Sequence, residues 1–276
     1  MPGRVKLSGN ILDIKTTLVT GIVVALNGKL NAGGEFDVHD ILYYGEAAAN
    51  TLTALHSNPV ETSDRNKYVV LMSGLEVGNL TDESTILGTQ LVMDFIAGRI
   101  GGEEEKQLAS SIVHVIIAGN SVGISTSDTN TSSISTKTDK AAKIQTEIVA
   151  PMKQFDCVLA QTLGCCTIDI MPGNSDPANH LLPQQPLHPC LFTHCSRFNT
   201  LKLVTNPYDV VLDNKVFLGH AGQALQDIDR QVTYPNLMDT DDDVCNREIK
   251  ILESTLKWGH LCPTAPDTLP CYPYKV

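Results

Sequence analysis

The chain opens on two β-rich runs, LVTGIVVALNGKL and EFDVHDILYYG, on either side of the turn Asn31-Ala32-Gly33-Gly34. Branched and aromatic residues flanking a Gly-rich turn predict a hairpin. Three or so strands do not close a barrel, so residues 1–46 are expected to form part of a small β-domain. From Glu46 to Lys67 the residues are mixed and polar, with His56, Pro59 and Asp64, and predict a linker over 47–66.

Beyond the linker the pattern changes. KYVVLMSGL (Lys67 to Leu75) and IVHVIIAGN (Ile112 to Asn120) are apolar runs ending in Gly and a small polar residue, as buried strands of an α/β sheet do. Between them Ser84 to Gly98 has helix-like spacing at Leu87, Leu91, Met93 or Asp94, and Phe95. The Ser/Thr-rich segment Ser121 to Thr138 predicts a loop. A helix from Lys140 to about Leu163, kinked or broken at Pro151, should lead to a strand from Cys166 to Met171. LKLVTNPYDVVLDNKVFLGHAG then reads as strand, Asn-Pro turn, strand, Asp-Asn turn and strand. Arg247 to Trp258 predicts a helix with apolar positions at Ile249, Leu252 and Leu256, and the prolines of HLCPTAPDTLPCYPYKV exclude regular helix after it. Strands alternating with helices give an α/β, mixed α+β, fold class.

With 276 residues, 42% of them hydrophobic, the chain can bury a real core. It has no run of about 18 apolar residues, and MPGRVKLSGN lacks the apolar segment of a signal peptide, so the expectation is a soluble intracellular protein with no membrane partner. The formal charge of -11 argues against a surface that neutralises many phosphates, and hence against tight direct DNA binding. Acidic patches at Glu103-Glu104-Glu105 and at Asp239-Thr240-Asp241-Asp242-Asp243 read as solvated loops. The 8 cysteines form no CxxC pair and read mostly as buried reduced thiols. His188, Cys190, His194 and Cys195 resemble half a zinc site, but a second ligand pair at the right spacing is missing.

Candidate chemistry sits at three strand ends: Ser73-Gly74-Leu75-Glu76-Val77-Gly78, Gly119-Asn120-Ser121 and Pro172-Gly173-Asn174-Ser175-Asp176. Ligands collect at the carboxyl ends of strands in open α/β sheets. The order and spacing resemble the calcineurin-like metallophosphoesterases, whose strand ends read D-x-H, G-D-x-x-D and G-N-H-[DE]. In that alignment Gly74 and Glu76 occupy the first Asp and His, Asn120 and Gly123 occupy the next two Asp, and Ser175 replaces the His between Asn174 and Asp176. Two divalent cations about 3.5–4 Å apart need several anionic ligands. Glu76 alone does not restore that charge, so no dinuclear site is expected.

The strings DIMPGNSDPANHLLPQQPLHPCLF, LKLVTNPYDVVLDNKVFLGHAGQ and LKWGHLCPTAPDTLPCYPY bring a closer likeness, as do KLSGNILDIKTTLVTGIVVALNGKL, LMSGLEVG, ILGTQLVMD and VIIAGN in the first half. Together they resemble the small accessory subunit, or B-subunit, family of eukaryotic DNA polymerase delta. The resemblance implies a partial OB-fold domain over 1–46 joined by the 47–66 linker to an inactivated phosphoesterase-like β-sandwich with flanking helices over 67–276. It implies a nuclear, non-catalytic scaffold that holds no cofactor. The implied partners are the C-terminal metal-binding domain of the catalytic polymerase subunit and a third subunit, with DNA reached only through the complex. The implied vestigial pocket gathers Gly74, Glu76, Asn120, Gly173, Asn174, Asp176, Asn206, His220 and His260. Family members carry a longer N-terminal segment and further strands after CYPY, so by resemblance this chain is truncated at both ends, which would leave apolar faces and sheet edges open. Locally, His220 stands where a small hydroxyl residue is usual, Gly259 where Arg is common, and Pro270 where Gly is common. The enzymatic alternative is a manganese- or magnesium-dependent phosphodiesterase or nuclease using Asn174, Asp176, His180, His188, His220 and His260. A single-stranded DNA binder is a third reading, but Phe36, Tyr43 and Tyr44 are the only aromatic residues of the OB region and basic residues are few.

Overall fold

A computed structural model describes residues 4–9, 18–45, 66–78, 83–123, 149–232 and 241–272. The expected linker lies almost wholly outside the described residues, as does nearly all of the Ser/Thr-rich segment. The chain divides into two compact units, Glu61–Ala221 and a second made of Met1–Val60 with Gly222–Val276. In this division by packing the last two helices contribute their apolar faces to the core of the second unit, whereas the resemblance implies a single domain over 67–276.

The Glu61–Ala221 unit is built on a parallel sheet of β4 (Tyr68–Met72), β5 (Ile112–Ala118), β6 (Thr167–Met171) and β7 (Leu201–Leu203), in that order. β4, expected as a buried strand, is an edge strand with Tyr68 and Leu71 exposed, whereas the β5 and β6 runs form the centre, with Val115, Ile117, Ile168 and Ile170 fully buried. Against them pack Met93 and Ile96 of α1 (Glu83–Ile96) and Met152, Phe155 and Leu159 of α3 (Ala150–Ala160). Phe155 meets Phe192 edge to face, with ring centroids 6.2 Å apart. A hairpin of β8 (Tyr208–Leu212) and β9 (Lys215–Gly219) lies along the other face of the sheet and leaves Leu71 and Val113 exposed. Asp213 and Asn214 form its two-residue turn, with φ of 49° and 63°, the left-handed pair that matches strand twist and suits Asx residues.

Of the helix expected from Lys140 to about Leu163, residues 140–148 lie outside the described residues; Pro151 sits in the first turn of α3, where a missing N–H is tolerated. One local expectation is corrected here. Glu103, Glu104 and Glu105 are not a loop but the first turn of α2 (Glu103–Ser110), where acidic side chains suit the helix dipole. Glu105 Oε2 accepts the Gly102 N–H at 2.9 Å.

In the other unit β1 (Lys6–Gly9) runs parallel to β3 (Glu35–Tyr43), and β2 (Val24–Leu30) pairs antiparallel on the far side of β3. Two helices, α4 (Gln223–Gln231) and α5 (Asp241–Trp258), close its core around Val19, Ile228, Val232, Ile251 and Trp258. Asp241, Asp242 and Asp243 open α5 and are therefore helical as well. A two-point ion pair from Arg247 to Asp229, at 2.6 and 2.9 Å, links the two helices. Thr268 donates to Asp227 at 2.6 Å and accepts from Gln231 at 2.7 Å, which ties the proline-rich tail to α4.

The helix predicted over Arg247 to Trp258 is present, but it turns a different face inward. Ile251, Thr255 and Trp258 are buried, whereas Ile249, Leu252 and Leu256 are exposed. Both triplets have helical spacing, and Trp258 offers the larger area to bury. Among the described residues no helix is long and apolar enough to cross a membrane. The seven described cysteines are free thiols, but only Cys166 and Cys195 are buried, which corrects the expectation of mostly buried thiols. The inward face of α5 makes a direct prediction: Trp258→Ala should lower the unfolding free energy by about 3–5 kcal/mol, while Leu256→Ala should stay within about 0.5 kcal/mol. Urea unfolding of the two variants distinguishes the faces.

Candidate functional site

Parallel pairing brings the C-terminal ends of β4, β5 and β6 side by side, and backbone bonds continue past the strands. Gly74 N–H donates to Gly119 O at 3.3 Å, Glu76 N–H to Asn120 O at 3.1 Å and Val77 N–H to Ser121 O at 3.0 Å. Glu76 and Asn120 both take left-handed φ, 41° and 53°, to make this turn. The approach of the β5 and β6 ends is close enough to require glycine. A Cβ at Gly173 would overlap the Asn120 amide nitrogen, and one at Gly119, whose φ is 80°, would stand 2.6 Å from Ala221 Cβ.

Asp176 lies at the centre of this junction and is buried. Its Oδ1 accepts the N–H groups of Ser121 and Val122 at 2.8 and 3.0 Å, and its Oδ2 accepts Gly173 N–H at 2.7 Å. Burial pushes the carboxyl above its ordinary range, and the N–H donors oppose that push. Asn120 Oδ1 is directed at the β6 loop, accepting Asn174 N–H at 2.9 Å and Ser175 N–H at 3.2 Å. Asn206 is fully buried: its Nδ2 donates to Gln184 Oε1 at 2.7 Å and its Oδ1 accepts Ala221 N–H at 3.1 Å. Gln184 Nε2 in turn donates to the carbonyls of Gly173 and Asn179 at 3.0 and 2.8 Å.

The structure therefore brings Gly74, Asn120, Gly173, Asn174, Asp176 and Asn206 into one bonded junction, with Glu76 on its exposed rim. His220 lies beside it, lining an apolar cavity of about 210 Å³ with Leu71, Ile116 and Met171, and burial pushes its imidazole below the ordinary value. His260 falls in the other compact unit. It follows Gly259, which takes φ 63°, and the two N–H groups bond back to Thr255 and Leu256 at 3.2 Å to end α5. Its ring Nδ1 accepts Cys262 N–H at 3.2 Å. This local capping role falls in the unit that does not contain the junction. His180 and His188 are exposed, and His188 Nδ1 accepts Cys190 N–H at 3.2 Å.

These donors do not suit a pair of divalent cations. The amides of Asn120 and Asn206 are neutral and engaged with backbone or side-chain partners, and both oxygens of Asp176 accept from backbone N–H groups. Among the described residues no group of three or more His, Cys, Asp or Glu is placed to hold a metal ion. In the half zinc site, Cys195 is buried and its Sγ donates to Asp156 O at 3.0 Å. The Asp156 carboxylate accepts the N–H groups of His194 and Cys195 at 2.8 and 3.0 Å. Burial pushes that carboxyl up, but the bonds from Cys195, His194 and Thr193 together hold it below the ordinary range. Asp156 thus organises the segment after β6 as a turn.

Sequence reasoning missed two buried polar features. Gln184 carries the link between Asn206 and Gly173, yet inside LPQQPLHPC it has the look of a loop residue. His114 and Asp169 interrupt the apolar runs of β5 and β6, and a charged residue inside a buried strand is itself a signal. Asp169 Oδ2 accepts the Tyr208 hydroxyl at 2.8 Å and has His114 Nε2 at 2.8 Å, within ion-pair distance but outside hydrogen-bond geometry. This cluster fastens the β8–β9 hairpin to the parallel sheet.

The junction has a measurable signature. Asp176→Ala orphans three buried N–H donors and should cost roughly 3 kcal/mol or more. A carboxyl whose folded pKa is raised binds its proton more tightly in the native state, so its contribution to stability falls as pH rises from ~3.9, the unfolded value, through the folded one. Urea unfolding between pH 4 and 7 should show that slope in the unsubstituted chain and a weaker one in the variant.

Comparison with known proteins identifies the family. Residues 69–276 match the B-subunit family model of DNA polymerases alpha and epsilon, and residues 2–41 match that for the DNA polymerase delta subunit OB-fold domain. The chain is 41% identical to the DNA polymerase delta small subunit of Arabidopsis thaliana, over 99% of its own length and 56% of that relative's. It is 34% identical to DNA polymerase delta subunit 2 of Drosophila melanogaster, over 98% of the chain and 56% of the relative. With the small subunit of Saccharomyces cerevisiae it shares 32% identity, over 99% of the chain and 55% of the relative. The chain thus spans a little over half the length of the relatives it matches. With its parallel-sheet unit and its N-terminal strands matched in family order, the chain belongs to the B-subunit family of DNA polymerases, among relatives named for polymerase delta.

Proposed function

We propose that this chain is a non-catalytic accessory subunit of DNA polymerase delta, or a portion of one, acting in replication and repair in the nucleus. Its role is to join the C-terminal metal-binding domain of the catalytic subunit to a further accessory subunit, with DNA engaged through the assembly. The 67–276 region is read as a calcineurin-like phosphoesterase fold that has lost its metals, and 1–46 as part of an OB-fold. The observation that carries this reading is the inward use of the polar groups at the strand ends. Asp176 is consumed by three backbone N–H groups, and Asn120 stands where the phosphoesterase pattern has a metal-bridging Asp. A formal charge of -11 is also the wrong sign for a protein that grips phosphates directly.

The reading predicts that the chain, co-expressed with the catalytic subunit of polymerase delta from the same organism, co-elutes with it in gel filtration. It also predicts no turnover of a chromogenic phosphodiester with manganese. Failure to co-elute, or manganese-dependent turnover abolished by Asn174→Ala, would overturn it.

A further inference from the structure

We draw no further inference here: the strongest candidate, the cavity of about 560 Å³ between the parallel sheet and the β8–β9 hairpin, lined by Tyr68, Val113, His114, Val211 and Phe217, opens along exposed apolar side chains at Val113 and Val211, and nothing in the structure shows what covers it.

Discussion

The ends of β5 and β6 are held together by one buried carboxylate, and the end of β4 joins them through backbone hydrogen bonds. Asp176 takes N–H groups from the segment after β5 and from its own loop after β6, so the turn that leaves each strand is fixed by the other. A carboxylate removed from water needs such partners, because its desolvation is costly unless several donors converge on it. In this fold the donors are backbone groups that strand-end geometry already presents. The glycines at 119 and 173 are consequences of that demand, since they let the two ends approach closely enough for the bonds to form. Gln184 and Asn206 extend the same arrangement from the β6 loop to the residues after β9.

Much of this is legible in the sequence. The buried strands declare themselves as apolar runs ending in Gly and a polar residue, and the Asp213-Asn214 turn is marked by residues that tolerate positive φ. The choice of helix face is not legible. Ile249, Leu252 and Leu256 have the same periodicity as Ile251, Thr255 and Trp258, and spacing alone does not say which set meets the core. The acidic runs mislead for a related reason: charge predicts exposure, and an exposed first turn of a helix satisfies it as well as a loop does.

The candidate site is legible in its members and less so in their roles. Likeness to a metal pocket picks out Asn120, Gly173, Asp176 and Asn206, yet their side chains and backbone are spent on one another. Residue type groups His260 with them, whereas its position after Gly259 makes it part of a helix end. Hydrogen-bond partners across distant segments, such as Gln184 with Asn206, leave no periodic trace in a sequence. The buried His114–Asp169–Tyr208 cluster is signalled by charge inside apolar strands, but neither strand reveals the partner from β8.

The strand-end groups bind one another, and the proposal of a non-catalytic accessory subunit rests on that arrangement. Crystals of the chain soaked in manganese, with diffraction collected at an energy where manganese scatters anomalously, test it most directly. No anomalous peak is expected within bonding distance of Asn120, Asn174, Asp176 or Asn206. Two peaks about 3.5–4 Å apart among those residues, with Asp176 turned away from Ser121 and Gly173 to reach them, would contradict it.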